Sequence, residues 1–141
     1  MPKVTLNGAE IYYESHSPKI ASVNPARQKT VVLAHGVGGN HAIWFNQIEP
    51  FRETHRVIIF DHRGFGNSTD PQEAGRSEHA ADLLALLDHL DIEQTALVGQ
   101  SMGGGSCIGL AAMAAKRVAA LVLADTLHSL KLPSKAESIM R

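Results

Sequence analysis

A serine stands among small residues where an apolar run gives way to a Gly/Ala-rich segment. Residues 99–103, GQSMG, match the pattern G-x-S-x-G between a predicted strand at 95–98 and a predicted helix at 102–116. A serine that attacks a carbonyl carbon sits on a sharp, strained turn, which requires neighbours almost free of side chain. The pattern therefore predicts that Ser101 is a nucleophile. The alternative is a small-residue turn needed only for close helix packing. Three neighbours shape this turn: Gly99, Gln100 and Gly103.

A second glycine-rich segment, HGVGG at residues 35–39, follows the apolar run 30–34. Glycines after a buried strand let the backbone turn so that N–H groups face a developing oxyanion. We predict that the backbone N–H groups of Val37 and Met102 are the two donors. We interpret His35 as holding the loop by a hydrogen bond rather than transferring protons. The other residues that shape the loop are Gly36, Gly38 and Gly39.

The elements that must position these residues alternate between strands and helices. Compact apolar runs predict strands at 30–34, 56–60, 95–98 and 119–124, and the last of these reads as a buried strand. The pair Asn7-Gly8 predicts a hairpin turn between two short strands near the start of the chain. Alternation of this kind is typical of an α/β fold with a mostly parallel sheet and flanking helices. The carboxyl ends of such strands meet at one edge of the sheet, where ligands bind.

Two further helices are predicted between these strands. The first lies within residues 41–53 and turns Ile43, Trp44, Ile48 and Phe51 inward. The second is capped by Ser77 and buries a leucine-rich face. Core packing is the preferred interpretation for Trp44, although Trp44 and Phe65 are also candidates to line a pocket.

Three segments in this order, HGVGGN, DHRGFGNS and GQSMGGG, resemble the α/β-hydrolase superfamily. The resemblance extends from Val4 to Asp125 and looks closest to the serine-nucleophile branch that contains enol-lactonases, carboxylesterases and C–C bond hydrolases. It implies a nucleophile elbow at Ser101, an oxyanion hole, and hydrolysis of an ester, lactone or related carbonyl substrate. It also implies that Asp61, Arg63 and Gly64 shape a loop beside the site, which we interpret as held by an Asp–Arg interaction.

The resemblance leaves the acid and the base of a catalytic triad without an obvious source. In this fold the triad follows the order Ser, acid, His along the chain. The resemblance implies that the cap, the last two strands and the closing helix lie beyond Arg141. We therefore expect residues 1–141 to form a single incomplete domain, truncated after about the sixth strand, with 126–141 an irregular tail or the start of a cap segment. Asp125 and His128 are the candidate acid and base; the alternative for both is a surface loop.

Three hypotheses on function remain open. The chain is the nucleophile-bearing part of a serine hydrolase, a non-catalytic relative that serves as a binding module, or one half of a site that a partner chain completes. The open edge expected at 119–124 predicts self-association or a complementing chain.

The composition narrows the partners and the compartment. With 13 basic and 14 acidic residues, the chain has a formal net charge of −1. Nucleic acid and anionic membranes are therefore not expected as partners. No secretory signal or stretch of 18 apolar residues is visible, and Cys107 is the one cysteine, so a cytoplasmic location is expected. The histidine spacing indicates no metal site, and we expect no cofactor.

Overall fold

The strands and helices carry the following bounds in a computed structural model that describes residues 2–126. The strands are β1 (Lys3–Leu6), β2 (Ala9–His16), β3 (Thr30–Ala34), β4 (Arg56–Phe60), β5 (Thr95–Gln100) and β6 (Val118–Ala124). The α-helices are α1 (Phe45–Phe51), α2 (His79–His89) and α3 (Met102–Met113), and short 3₁₀ turns lie at Pro25–Arg27, His41–Trp44, Gly75–Glu78 and Ala115–Arg117.

These strands form one sheet in the order β1-β2-β4-β3-β5-β6. The β1–β2 and β2–β4 pairs are antiparallel, whereas β3, β4, β5 and β6 pair in parallel. The hairpin turn at Asn7 and Gly8 has φ values of 47° and 81°, which is the backbone that a tight hairpin needs. The predicted α/β fold with a mostly parallel sheet and flanking helices is confirmed.

The central strand β3 is buried along its whole length, because helices cover both of its faces. Val32 and Ala34 belong to the larger core cluster, together with leucines of α2 and α3. Val31 and Leu33 belong to a second cluster on the opposite face, where Trp44 is buried. Core packing of Trp44, the preferred interpretation, is therefore what the structure shows.

Both predicted helices are present, and a 3₁₀ turn precedes each of them. Residues 41–44 form a 3₁₀ turn before α1, which leaves Ile43 with 41% of its surface exposed instead of buried. Ser77 does not cap α2, because it lies in the 3₁₀ turn Gly75–Glu78 and its hydroxyl donates to Ala74 O at 2.7 Å. The first turn of each helix is tightened to the 3₁₀ form, which the apolar periodicity did not reveal.

Strand β6 is exposed, so the prediction of a buried strand at 119–124 is wrong, whereas the expected open edge agrees with the place of β6 in the strand order of residues 2–126. It pairs with β5 alone among the described residues, and Leu121, Val122 and Leu123 are 38%, 53% and 43% exposed. An apolar run signals burial only when layers cover both faces of the strand. Within residues 2–126, β6 lies at the edge of the sheet and contacts α3, yet the strand stays largely exposed.

No helix within residues 2–126 has the length and apolar character needed to cross a bilayer.

Candidate active site

Ser101 lies at the turn between β5 and α3. Its backbone has φ 52° and ψ −115°, and a positive φ in a non-glycine residue is a strained conformation. Backbone hydrogen bonds hold this conformation on both sides. The Ser101 N–H donates to Ala124 O of β6 at 2.9 Å, and the Ser101 carbonyl accepts from Gly104 N at 3.0 Å.

The glycines around Ser101 are required by close backbone approach. A Cβ on Gly99 would lie 2.5 Å from Gly104 Cα and 2.6 Å from Gly103 O. A Cβ on Gly103 would collide with Ala34 O and would lie 2.6 Å from His35 O. The helix that follows Ser101 is thus pressed against the end of β3, and only residues without a side chain permit that contact.

The loop at residues 35–39 lies directly against this turn. A Cβ on Gly36 would collide with the Gln100 side chain and would lie 3.2 Å from Ser101 Cβ. The loop is itself a tight turn, in which Gly39 N–H donates to Gly36 O at 3.2 Å and Gly38 has φ 72°. Within residues 2–126, no group accepts the N–H of Val37 or of Met102. Two backbone donors beside Ser101 are therefore not used by the described residues.

His35 uses both ring nitrogens on backbone groups. Its Nδ1 lies 2.8 Å from Gly36 O, and its Nε2 lies 3.0 Å from His62 N. Because a backbone N–H can only donate, His35 Nε2 is the acceptor and the ring proton is on Nδ1. Burial lowers the pKa of His35 despite the bond to Gly36, which keeps the ring neutral.

Asp61 is fully buried and holds the loop that precedes α1. Its carboxylate accepts from His41 N at 2.6 Å, from His41 Nδ1 at 2.8 Å and from Asn67 N at 2.7 Å. Gly66, with φ 52°, packs against the same carboxylate. Asp61 therefore bonds His41 and Asn67 and makes no pair with Arg63, which corrects the interpretation from sequence.

Arg63 pairs with a carboxylate on α2 instead. Its Nε and Nη2 donate to the two oxygens of Asp82 at 2.8 and 2.9 Å, and Nη2 also donates to Asn7 O at 2.9 Å. The bidentate bond to Asp82 is the main cause that raises the pKa of Arg63, and Asp70 adds to it. Asp82 stands on the apolar stripe of α2, and a carboxylate at such a position signals a buried partner. That signal was present in the sequence.

Asp125 and Ser101 directly follow the paired ends of two adjacent strands, β6 and β5. Gln100 pairs with Ala124 in the β5–β6 register, so the next residue on each strand is Ser101 and Asp125. Asp125 has φ 48°, and its exposed carboxylate makes no hydrogen bond to any described residue. The Thr126 hydroxyl donates to Ser101 O at 3.4 Å, so Thr126 also lies beside this turn. His128 lies outside the described residues. None of the histidines in residues 2–126 hydrogen-bonds the Ser101 hydroxyl.

Comparison with known proteins identifies the family. Residues 29–140 match a family model described as the alpha/beta hydrolase fold. The chain belongs to the α/β-hydrolase fold family. Among curated family relatives, 3-oxoadipate enol-lactonase 2 of Acinetobacter baylyi is 34% identical over 107 residues, which are 75% of this chain and 40% of that protein. RutD of Variovorax paradoxus, provisionally named a carbamate hydrolase, is 36% identical over 118 residues, 82% of this chain and 42% of that protein.

Solved structures of the family agree with the fold. Est816, described as an N-acyl homoserine lactone degrading enzyme, superposes with a TM-score of 0.81 at 31% identity, covering 97% of this chain and 51% of that one. The enol-lactonase of Burkholderia xenovorans superposes with a TM-score of 0.80 at 28% identity, covering 89% of this chain and 46% of that one. The chain thus spans about half the length of these proteins.

The structure contains a polar network on β2 that we did not predict from the sequence. Glu14 accepts from Tyr12 Oη at 2.6 Å, contacts His16 Nε2 at 3.0 Å, and lies 3.6 Å from His41 Nε2. The hydrogen bond to Glu14, with burial, raises the pKa of Tyr12 to about 12. Burial would raise the pKa of Glu14, yet the bonds from Tyr12 and His16 outweigh it and lower this pKa. The two-residue spacing of Tyr12, Glu14 and His16, which puts them on one face of a strand, was the available signal.

Metal and thiol chemistry have no visible site in the part of the chain that the structure describes. Residues 2–126 contain no group of three His, Cys, Asp or Glu side chains that could hold a metal ion. Cys107 is buried, and burial raises its pKa to about 12, so this thiol is a poor nucleophile.

Proposed function

We propose that this chain carries the nucleophile and the oxyanion hole of a serine hydrolase that acts on an ester, a lactone or a related carbonyl substrate. The observation that carries the proposal is the strained φ of Ser101 at a strand–helix turn whose glycines leave no room for side chains. The names of the relatives, which include a lactonase and an enol-lactonase, support this substrate class.

In the proposed reaction, Ser101 Oγ attacks the substrate carbonyl carbon. The N–H groups of Val37 and Met102 donate hydrogen bonds to the carbonyl oxygen and stabilise the negative charge that develops on it. Donors of this kind are typically worth about 10²–10³ in rate each, because they are already oriented before the reaction. Asp125 is the proposed acid, and His128 the proposed base that takes the Ser101 proton.

The unpaired Cys107 favours a reducing compartment, so we expect the chain to act in the cytoplasm.

A second candidate is a site that a partner chain completes. Among residues 2–126 no strand lies on the outer side of β6, and its last register pair joins Ala124, which precedes Asp125, to Gln100, which precedes Ser101. A chain that pairs with β6 would therefore bring its own residues close to Ser101. In that case the histidine belongs to the partner, and Ser101 reacts only in the assembly.

Labelling with a fluorophosphonate, read by intact mass, tests both candidates. We expect the full chain to gain one adduct, and Ser101→Ala to gain none. Asp125→Asn should slow labelling by roughly 10⁴-fold if Asp125 orients the base. Asp91→Asn is the matched control, since Asp91 is also exposed and has φ 53°.

The concentration dependence separates the two candidates. A labelling rate constant that is independent of protein concentration, and that His128→Gln abolishes, supports a base within the chain. A rate constant that rises with concentration supports a partner chain. A folded protein that gains no adduct at any concentration would contradict the serine hydrolase proposal and leave a non-catalytic relative as the better description.

A further inference from the structure

We propose that His62 is a positioning residue that holds the two backbone donors of the oxyanion hole in register. The inference rests on the proposed function of Ser101, Val37 and Met102. His62 follows β4 and is buried, and hydrogen bonds lead from it to both sides of the site.

The first path runs through Ser106 to the start of α3. His62 Nε2 lies 2.8 Å from Ser106 Oγ, and the Ser106 hydroxyl donates to Gly103 O at 2.8 Å. Because the hydroxyl proton is used on Gly103, Ser106 Oγ accepts the proton of His62 Nε2. Gly103 follows Met102 directly, so this path fixes the turn of α3 that presents the Met102 N–H.

The second path runs through His35 to the other donor. The backbone N–H of His62 donates to His35 Nε2 at 3.0 Å, and His35 Nδ1 donates to Gly36 O at 2.8 Å. The Gly36 carbonyl and the Val37 N–H belong to one planar peptide unit and point in opposite directions. A hydrogen bond that orients the carbonyl therefore also orients the Val37 N–H.

The surroundings of His62 indicate that its side chain does more than fill space in the core. The rings of His35, Phe60 and His79 surround it, with centroids at 4.6, 4.7 and 4.6 Å. His62 Nδ1 is buried and has no hydrogen-bond partner among residues 2–126, and leaving a buried polar atom unsatisfied costs stability. Burial, together with His79 and His35, keeps the pKa of His62 well below its ordinary value, so the ring stays neutral and the Nε2 proton stays available to Ser106. An apolar ring would fill the same space without the unsatisfied atom.

The experiment compares variants that break the first path, because the second path uses the backbone N–H of His62 and survives replacement of its side chain. Ser106→Ala and His62→Phe each remove the bond between His62 and Ser106, and His62→Phe keeps a ring of similar shape. His62→Gln retains an N–H donor at a comparable reach. Thr95→Val is the matched control, because it also removes a buried hydroxyl that donates to a carbonyl, Thr30 O at 2.9 Å, at the opposite end of β5.

Two readouts are taken on each folded variant: the fluorophosphonate labelling rate of Ser101 and the amide ¹H–¹⁵N resonances of Val37 and Met102. We expect Ser106→Ala to slow labelling roughly 10- to 100-fold and to shift the Met102 amide. His62→Phe should shift the Met102 amide in the same way, and the double variant His62→Phe/Ser106→Ala should be no slower than His62→Phe. His62→Gln should restore part of the rate. Thr95→Val should lower the melting temperature without either effect.

The two readouts separate this proposal from the proposed function. Amide shifts as expected, with no labelling of the wild type, would contradict the serine hydrolase proposal and support the positioning role of His62. Labelling within twofold of wild type in Ser106→Ala, or a Met102 amide unchanged as in Thr95→Val, would overturn the positioning role. If His62→Phe fails to fold, Ser106→Ala, which removes a single oxygen atom, decides the outcome.

Discussion

Gly103 is the residue whose replacement the structure opposes most directly. The atoms that a Cβ would meet there are the backbone oxygens of Ala34 and His35 at the end of β3. A flexible side chain can move aside, whereas a buried strand cannot shift without disturbing its neighbours. Close helix packing and the nucleophile turn thus depend on the same glycine.

Gly103→Ala should destabilise the fold by about 1–3 kcal/mol and strongly slow the labelling of Ser101, because α3 must move away from β3. The free energy of unfolding is measured by urea denaturation. Gly105→Ala is the control on the same helix, since no atom of the described residues outside the adjoining helix backbone lies within 4 Å of the position that its methyl group would occupy. It should stabilise by up to about 1 kcal/mol and leave labelling intact. Equal stability of the two variants would show that α3 is not pressed against β3.

Strand β6 exposes apolar side chains and an edge that no other described strand pairs with. Residues 118–124, VAALVLA, contain no charge and no proline, and β6 has no strand on its outer side among the described residues. Natural edge strands are usually protected by lysines, prolines or bulges. The irregularity in the β5–β6 register lies at Ala119, at the start of β6, and leaves residues 120–124 in regular pairing. We therefore propose that β6 pairs with a second copy or with a complementing chain.

Val122→Lys should reduce association, because the charge would have to be desolvated when another chain covers this side of β6. Sedimentation velocity over a range of concentrations measures the effect, and we expect the wild type to form dimers or larger species. Met113→Lys is the matched control, since Met113 is comparably exposed but lies on α3. A wild type that remains monomeric at all concentrations would contradict the proposal.

The whole molecule carries an acid-sensitive core. His35, His62 and His79 are buried in contact with one another, and burial is the first cause that lowers the pKa of each. In the unfolded chain these histidines bind protons near pH 6.5, whereas in the folded protein they do so only at lower pH. The unfolded state therefore binds more protons below pH 6.5, and stability falls as the pH falls.

The free energy of unfolding should consequently decrease between pH 6.5 and 5, by up to about 1.4 kcal/mol per pH unit for each histidine that stays neutral in the fold. The lowered carboxyl pKa values of Glu14 and Asp70 act in a different window, because their stabilisation is lost only below about pH 4.5. Urea denaturation at a series of pH values measures the slope. His62→Phe should flatten it, while His89→Gln, on the exposed side of α2, should not. A slope unchanged in His62→Phe would exclude His62 as a source of this acid sensitivity.

The sequence alone determined the strand–helix alternation, the Asn7-Gly8 hairpin and the turn that presents Ser101. Each of these depends on local physics: side-chain periodicity decides strand or helix, and a crowded backbone or a positive φ demands glycine or asparagine. Because parallel strands end at one edge of a sheet, the sequence also predicted that the loop 35–39 and Ser101 belong to the same edge.

Only the tertiary structure decided which side chains meet. Arg63 pairs with Asp82 rather than Asp61, and His62 joins Ser106 to His35. These partners are 19 or more residues apart on different elements, and no spacing rule specifies which elements will adjoin. The exposure of β6 also depends on tertiary structure. Its apolar composition predicts burial, but its place in the strand order decides whether other layers cover it.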